Sequence, residues 1–325
     1  MVKESLRQAA CTVLFVIDRT MIKKVLVTGA SGFVGRHVAL AAARLGYDVY
    51  GMGHGSWSTK EALGWGICHW TSADVTLDSL IRSAVEPDYV IHCAGSGSVA
   101  FSLTDPLEDF QRTVQTFLDV LEYSRLHTPN ARIVLPSSAS VYGAALTFPI
   151  SINTIPAPTS PYGVHKLITE QLASYYARHF NMAISIVRLF SVYGVGLRKQ
   201  LLWDACNKLK VGPAEFAGTG FETRDWIHVN DAANLLLAAT NVASKDCPVF
   251  NGASGTGVTT RAVVDIISSV MGRTERAVFN GISRAGDPMH YVADVSGALD
   301  LGWKPAYTLE NELENYVNWF LKLDD

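Results

Sequence analysis

Short apolar runs alternate with longer segments of helical character from residue 24 to residue 190. Runs rich in β-branched residues occupy positions 24–28, 48–52, 66–70, 88–93, 132–136 and 183–190. Segments with helical spacing of apolar residues occupy 33–45, 77–85, 106–126 and 161–180. Strands of about five residues separated by helices are typical of a parallel sheet with helices on both faces. The pattern therefore predicts an α/β fold whose ligands bind beyond the carboxyl ends of the strands.

The alternation becomes less regular after residue 194. Helices are predicted at 201–209, 230–239, 259–271 and 309–322, and a strand at 225–229. We interpret the chain as a Rossmann-type doubly wound parallel sheet with a smaller, partly discontinuous C-terminal substrate lobe. The Rossmann domain is expected to span 21–198 with contributions from about 225–252, and the lobe 199–224 and 253–325. Residues 1–20 are expected to be an N-terminal extension outside the fold, because Met21 directly precedes the first strand.

Composition argues against several classes of protein. The 325 residues carry a formal net charge of -3, so no basic surface indicates a nucleic-acid partner or an anionic membrane. No apolar run approaches the ~20 residues that a membrane-spanning helix needs. The five cysteines are scattered, odd in number and without a CxxC pair. This usage is typical of reduced thiols in a cytoplasmic protein, and it predicts no metal site.

Three glycines follow the first strand at the spacing GxxGxxG. Gly29 permits a tight turn, and Gly32 lets the backbone approach a pyrophosphate. Gly35 lets the following helix pack closely against the strand. The N-terminus of that helix presents free N–H groups and a positive dipole end to an anion. The sequence therefore predicts a dinucleotide site at this turn.

A tyrosine and a lysine lie four residues apart at the start of the predicted helix 161–180. Positions i and i+4 share one helix face, so Lys166 is expected beside Tyr162. An ammonium group nearby favours the phenolate, which lowers the tyrosine pKa toward the range of a useful base. The fifth predicted strand runs into the serine-rich turn LPSSASVYG, and a hydroxyl there can bond the substrate oxygen. The pattern predicts a Ser/Tyr/Lys active site.

With these residues the chain resembles the extended short-chain dehydrogenase/reductase family, the nucleotide-sugar epimerases and dehydratases. The stretches GASGFVG, SSASVYG, PYGVHK, RLFSVYG and GFETRDWIHVNDAA carry the resemblance in the family's order, between about residues 22 and 321. The resemblance implies that Tyr162 is the acid/base residue and Lys166 its lysine. It also implies that Ser138 is the hydroxyl partner, with Ser140 as the nearby alternative.

Further contacts follow from the same motifs and from the residues at the end of the second strand. Dinucleotide contacts are expected from Gly29, Ser31, Gly32, Phe33, Val34, Gly35, Arg36, His54, Asp74, Val75, Ala94, Gly95, Ser96, Tyr162, Lys166, Phe190 and Val192. Substrate contacts are expected from Ser138, Ser140, Ser191, Gln200, Arg224, Arg284 and Asp287. The two arginines suit a nucleotide diphosphate, because guanidinium groups bind phosphate oxygens in pairs.

The second strand ends without the acidic residue that NAD-preferring relatives place near Gly53 to hold the ribose 2′-hydroxyl. Its absence removes repulsion against a 2′-phosphate. Arg36, His54 and Ser56 are available to contact such a phosphate. The sequence therefore favours NADP over NAD as the cofactor.

Three functions fit these motifs. A nucleotide-sugar 4-epimerase is favoured, since the serine turn resembles that of UDP-glucose 4-epimerases. A 4-ketosugar reductase that uses NADPH is the alternative, and a catalytically silent dinucleotide sensor is the third. The stretch SASV after the first serine has no carboxylate to expel water, so dehydratase activity is not expected.

The resemblance also implies a homodimer. The predicted helices 106–126 and 161–180 match the pair that forms a four-helix interface in relatives. Apolar surface for that interface is expected from some of Phe110, Phe117, Leu121, Leu172 and Tyr176, while others of this set must face the sheet.

Overall fold

Seven parallel strands form the central sheet of the protein. The computed structural model describes residues 22–274, 277–282 and 289–323. The sheet strands are β1 (Lys24–Thr28), β2 (Asp48–Gly53), β3 (His69–Ser72), β4 (Tyr89–His92), β5 (Arg132–Ser138), β6 (Ala183–Leu189) and β10 (Val249–Gly252). Their order is β10-β6-β5-β4-β1-β2-β3. The order 3-2-1-4-5-6 is that of a Rossmann fold, so the predicted doubly wound parallel sheet is confirmed.

Helices cover both faces of this sheet and build the smaller lobe. They are α1 (Phe33–Arg44), α2 (Thr59–Gly64), α3 (Leu77–Ser83), α4 (Val99–Thr104), α5 (Pro106–Phe110), α6 (Thr116–His127), α7 (Pro161–Phe180), α8 (Gln200–Val211), α9 (Val229–Ala239), α10 (Thr260–Val270), α11 (Ser296–Leu299) and α12 (Leu309–Leu321). A π-helical turn, Gln111–Gln115, joins α5 to α6, and a 3-10 turn, Ala139–Tyr142, follows β5.

The two faces of the sheet bury separate apolar clusters. Along β1, Val25 and Val27 pack with Val38 of α1 on one face. Leu26, between them, packs with Phe117 of α6 on the other face. Side chains of a strand alternate between its faces, so a continuous apolar run fills both cores at once.

The structure differs from the predicted elements in several places. Helices α2 and α11 and strand β10 were not predicted. The third strand begins at His69 rather than at residue 66, because α2 extends to Gly64 and the chain then turns at Gly66, which has φ +75°. Helix α4 was not predicted. The predicted helix 106–126 is interrupted by the π-helical turn, which inserts an extra residue per turn and rotates α6 relative to α5.

The smaller lobe is built around a third apolar cluster. Leu202 of α8, Ile267 of α10 and Tyr316 of α12 are buried together there. Two small sheets complete the lobe, with orders β11-β9-β7 and β12-β8. Their strands are β7 (Ser191–Tyr193), β8 (Glu215–Phe216), β9 (Thr223–His228), β11 (Gly257–Thr259) and β12 (Val278–Phe279). Strand β9 was predicted, whereas β7, β8, β11 and β12 were not. None of the helices within the described ranges is long and apolar enough to cross a membrane.

Candidate active site

The glycine turn between β1 and α1 is shaped by close backbone contacts. Gly29 has φ +64°, and a Cβ there would lie 2.5 Å from the Ala94 nitrogen. A Cβ on Gly35 would lie 2.2 Å from the Gly29 oxygen. The first turn of α1 has neither a side-chain cap nor an acidic residue. Its N–H groups therefore remain available to an anion, and the cradle fits the pyrophosphate of a dinucleotide.

The turn after β4 lies directly against this cradle. The Ala94 N–H donates a hydrogen bond to the Thr28 hydroxyl, with 3.4 Å between nitrogen and oxygen. The Ser96 N–H donates to the Thr113 hydroxyl in the same way, at 3.3 Å. Gly95 has φ +131°, a backbone conformation that glycine adopts readily and residues with a side chain rarely adopt. The structure thus brings the two predicted cofactor segments together at the carboxyl ends of adjacent strands.

Helix α7 positions the tyrosine and the lysine. Ser160 caps its start by accepting a hydrogen bond from the Gly163 N–H at 3.2 Å, and Pro161 occupies the first turn. The Tyr162 N–H donates to the Ser102 hydroxyl of α4 at 3.0 Å. The unpredicted helix α4 therefore fixes the catalytic end of α7.

Ser138, Tyr162 and Lys166 meet at the end of β5. The Ser138 hydroxyl lies near the Tyr162 phenol and favours its ionised form, which lowers its pKa. The Lys166 Nζ donates to the Pro136 carbonyl at 3.2 Å and lies 5.9 Å from the centre of the Tyr162 ring. The Ser140 hydroxyl is buried, and no described residue is its hydrogen-bond partner. The arrangement can hold a substrate hydroxyl and exchange a proton with it.

Burial dominates the titration of this site. Burial lowers the pKa of Lys166 to about 8. The nearby carboxylates Asp109 and Glu170 raise this pKa, but their effect is smaller than that of burial. Burial also raises the pKa of Tyr162, while the Ser138 hydroxyl lowers it. The sequence predicted a lowered tyrosine pKa, whereas desolvation outweighs the neighbouring charge here. In the absence of ligands, burial therefore favours the neutral phenol of Tyr162 and the neutral amine of Lys166.

A buried polar network supports the serine turn from behind. Glu170 accepts a hydrogen bond from the Ser137 hydroxyl at 2.5 Å and pairs with Arg188 of β6 at 2.7 Å. The Arg188 guanidinium lies 4.8 Å from the centre of the Tyr142 ring. Sequence reasoning missed this network. Its signal is the spacing, because Glu170 follows Lys166 by four residues on the same helix face.

The groups that favoured NADP have other partners in the structure. The Arg36 guanidinium donates to the Gly196 carbonyl at 3.1 Å and lies 5.1 Å from the Trp65 ring. The His54 imidazole lies 2.9 Å from the Asp74 carboxylate, with both side chains mostly exposed. Arg36 therefore has a partner in the loop after β7, and its expected contact with the dinucleotide stays a prediction.

Several other predicted cofactor residues face apolar surroundings. Val34 and Val75 pack against the two cores of the sheet, and Phe33 against the cluster of the smaller lobe. Phe190 is buried between the rings of Tyr142 and Tyr291. Val192 lies on β7, and the Ser31 hydroxyl donates to the His54 carbonyl at 2.9 Å. The apolar side chains of Phe33, Val34, Val75, Phe190 and Val192 have no polar atoms, so these residues can make polar contacts with a dinucleotide only through their backbone groups.

Of the predicted substrate residues, Ser191 lies on β7 and Arg224 on β9 of the same small sheet. Gln200 begins α8 with φ +65°, an uncommon conformation for a non-glycine residue. Arg284 and Asp287 lie outside the described residues. Among the residues described, no group of three His, Cys, Asp or Glu side chains is placed to hold a metal ion.

Comparisons with known proteins agree with this geometry. The model of the NAD dependent epimerase/dehydratase family matches residues 25–251. The UDP-glucose 4-epimerase of Corynebacterium glutamicum is 30% identical, over 88% of this chain and 92% of its own length. The structure of the Thermotoga maritima UDP-glucose 4-epimerase with UDP-glucose has a TM-score of 0.84 and 27% identity, covering 93% of this chain and 100% of that one.

A second solved structure is similar over the same extent. It is the UDP-glucuronic acid 4-epimerase of Bacillus cereus in complex with UDP-glucuronic acid and NAD. Its TM-score is 0.82 and its identity 26%, covering 92% of this chain and 99% of that one. The predicted resemblance to the extended short-chain dehydrogenase/reductases is confirmed. The chain is an enzyme that belongs to the NAD dependent epimerase/dehydratase family.

Proposed function

We propose that the protein is a nucleotide-sugar 4-epimerase that works through a transient 4-ketosugar. The observation that carries the proposal is the convergence of Ser138, Tyr162 and Lys166 beside the glycine cradle. The similar proteins named above, which are 4-epimerases, cover nine tenths of the chain. The site geometry and the similarity to 4-epimerases both favour an enzyme that reversibly oxidises the sugar C4 over a catalytically silent dinucleotide sensor.

Each residue of the site has a distinct task in this reaction. Tyr162 removes the proton of the sugar 4-hydroxyl, and Ser138 holds the oxygen by a hydrogen bond. Lys166 supplies the positive charge that favours the phenolate at that moment. A nicotinamide dinucleotide held by the glycine cradle would supply the hydride acceptor and, once the sugar has turned, the hydride donor for its opposite face. Tyr162 then gives its proton back to the oxygen.

The glycine cradle and the turn Ala94–Ser96 are proposed to hold the dinucleotide. We propose NAD as the cofactor in place of the NADP that the sequence favours, because Arg36 is directed to Gly196 and His54 pairs with Asp74. The Asp74 carboxylate beside His54 would repel a 2′-phosphate and could accept hydrogen bonds from the ribose hydroxyls of NAD. The presence of NAD in the Bacillus cereus relative supports the same choice.

The substrate is proposed to be a UDP-sugar, as in both solved relatives. Arg224 and Gln200 are proposed to contact its diphosphate from the smaller lobe. The proposal includes a cytoplasmic location, which the lack of a disulfide among the described cysteines supports.

The direction of hydride transfer separates the epimerase from the NADPH-dependent reductase. We expect purified protein with a trace of NAD to interconvert 4-hydroxy epimers of UDP-glucose or UDP-glucuronate, because the cofactor is regenerated in each cycle. Chromatography of the sugars follows the product, and absorbance at the reduced-nicotinamide band follows the cofactor. The same reaction with a trace of NADP is expected to be slower.

Two results would contradict the proposed epimerase and assign a different enzymatic activity to the protein. Stoichiometric oxidation of NADPH by a 4-ketosugar, without interconversion of epimers, would identify a reductase. A 4-keto-6-deoxy product would identify a dehydratase, which is not expected since Ser138-Ala139-Ser140 offers no carboxylate at the turn. Failure to bind any UDP-sugar, with dinucleotide binding intact, would favour the sensor.

The dimer is proposed to form through α5, α6 and α7. Of the residues predicted for its interface, Phe117 and Leu121 are corrected, because they are fully buried against the sheet. Positions 110 and 117 share a face in a regular α-helix, and the π-helical turn between them breaks that relation. Leu172 and Tyr176 are partly buried, whereas Phe110 is exposed. The exposed apolar residues on these helices are Leu107, Phe110, Leu126, Val164, Tyr175 and Phe180.

We expect light scattering at micromolar concentration to give twice the mass of one chain. Charged substitution of Leu107 and Val164, which are exposed on adjacent helices, is expected to give the monomer mass. A wild-type protein that stays monomeric at this concentration would contradict the proposed interface.

A further inference from the structure

A buried aspartate–histidine pair lies under the catalytic end of α7. Asp109 of α5 is fully buried, and its Oδ2 lies 2.6 Å from the Nδ1 of His165, which is nearly buried. The other carboxylate oxygen, Oδ1, is buried, and no described residue is its hydrogen-bond partner. His165 directly precedes Lys166 in the chain. The pair therefore joins α5 to the helix that carries both the catalytic tyrosine and its lysine.

Two further carboxylate or thiol groups face Lys166, and neither supplies a free negative charge. Glu170, on the same helix, pairs with Arg188 of β6. Cys93, after β4, is neutral at physiological pH, because burial raises the pKa of its thiol to about 12. His92, at the end of β4, is also neutral, since burial lowers the pKa of its imidazole to about 3.

The charged residues Glu108 and Arg112, on either side of Asp109 in the chain, pair with each other at the surface. Arg112 of the π-helical turn pairs with Glu108 at 2.7 Å, and both side chains are exposed. Asp109 is thus the carboxylate near Lys166 whose partner is an imidazole rather than an arginine or a lysine. A buried negative charge opposite a buried ammonium stabilises the protonated lysine more strongly than a surface charge does.

We propose that Asp109 and His165 are positioning residues: the pair fixes the start of α7, and its negative charge keeps Lys166 protonated. The Oδ2 of Asp109 and the Nδ1 of His165 are joined by one hydrogen bond, and the Asp109 carboxylate favours the ammonium form of Lys166. The inference rests on the proposed function only for its effect on turnover. Its effect on the charge of Lys166 exists without any substrate.

The titration of Lys166 tests the pair directly. In protein with 13C-labelled lysine, the Cε resonance of Lys166, assigned with Lys166→Arg, is expected to titrate near pH 8. Asp109→Asn keeps the shape and removes the charge, so the midpoint is expected to fall by about one pH unit. His165→Gln keeps the carboxylate charge, and the midpoint is not expected to fall. Tyr176→Phe is the control, because it removes the 2.6 Å bond to Glu122 between α7 and α6 without changing a charge at the site.

Turnover gives the second measurement. A lysine that must be protonated supports activity below its pKa and loses it as the pH rises through that value. The alkaline limb of the kcat profile is therefore expected to move down by about one pH unit in Asp109→Asn, with most of the activity regained near pH 6. Lys166 midpoints that coincide in wild type and Asp109→Asn, or a fall in His165→Gln as well, would overturn the inference. If no variant and no wild-type protein turns over a UDP-sugar, the proposed function fails, and the resonance still decides the role of the pair.

Discussion

Replacing Tyr162 with phenylalanine is expected to lower kcat by about 10³-fold, within the range that general acid–base catalysis contributes. The phenol is the group placed to exchange a proton with the substrate oxygen, and the Ser138 hydroxyl beside it favours its ionised form. The ring remains in place in the variant, so dinucleotide affinity is expected to change less than threefold. Turnover of a UDP-sugar and titration of the protein with NAD measure the two quantities separately.

Tyr175→Phe provides a matched control. Tyr175 lies on the same helix, 13 residues after Tyr162, and its side chain is about half exposed and packs against His179. Loss of its hydroxyl is expected to leave kcat unchanged. Tyr162→Phe with wild-type turnover would reject the tyrosine as the acid/base residue, and an equal loss in both variants would indicate a general defect of α7.

Replacing Glu170 with glutamine is expected to reduce the free energy of unfolding by about 3–5 kcal/mol. The substitution leaves the Arg188 guanidinium buried without a carboxylate, and both side chains are over 90% buried in the wild type. It also weakens the hydrogen bond from Ser137, the neighbour of Ser138. Urea denaturation followed by circular dichroism measures the change, and the transition is expected at lower urea with an unchanged slope.

A more exposed ion pair on the same layer of helices serves as the comparison. Glu122 and Arg125 of α6 lie 2.6 Å apart with side chains that are 26% and 32% exposed. Glu122→Gln is expected to cost less than about 1 kcal/mol, because solvent screens such pairs. If Glu122→Gln and Glu170→Gln lose equal free energy of unfolding, burial of the Glu170–Arg188 pair does not determine how much that pair contributes to stability.

The parts of the site that follow one another in the chain could be predicted from the sequence. The glycine turn occupies seven consecutive residues, and Tyr162 and Lys166 are one helical turn apart, so local spacing fixes their geometry. Ser138 required only the rule that parallel strands end at one edge of the sheet. These predictions use periods of two and 3.6 residues, which the structure obeys over β1, β5 and α7.

Contacts between distant residues could not be predicted in the same way. Asp109 and His165 are 56 residues apart, and Arg36 and Gly196 are 160 apart. Local spacing gives no information on such pairs, because they depend on how the helices pack. Some of the five apolar residues on these helices were expected to face the sheet, but the sequence did not show that Phe117 and Leu121 are among them. An inserted π-helical turn changes which side chains share a face, and it leaves no mark in a pattern of apolar and polar residues.

The last strand of the central sheet has a consequence for how the protein is made. Strand β10 pairs with β6, yet 59 residues of chain separate Leu189 from Val249. At about 5–20 residues per second, a ribosome takes roughly 3–12 s to synthesise that stretch. During this time β6 is an open edge of apolar strand, the kind of edge that pairs with other chains. The nascent protein therefore passes through a stage in which its own translation rate determines how long it is exposed to aggregation.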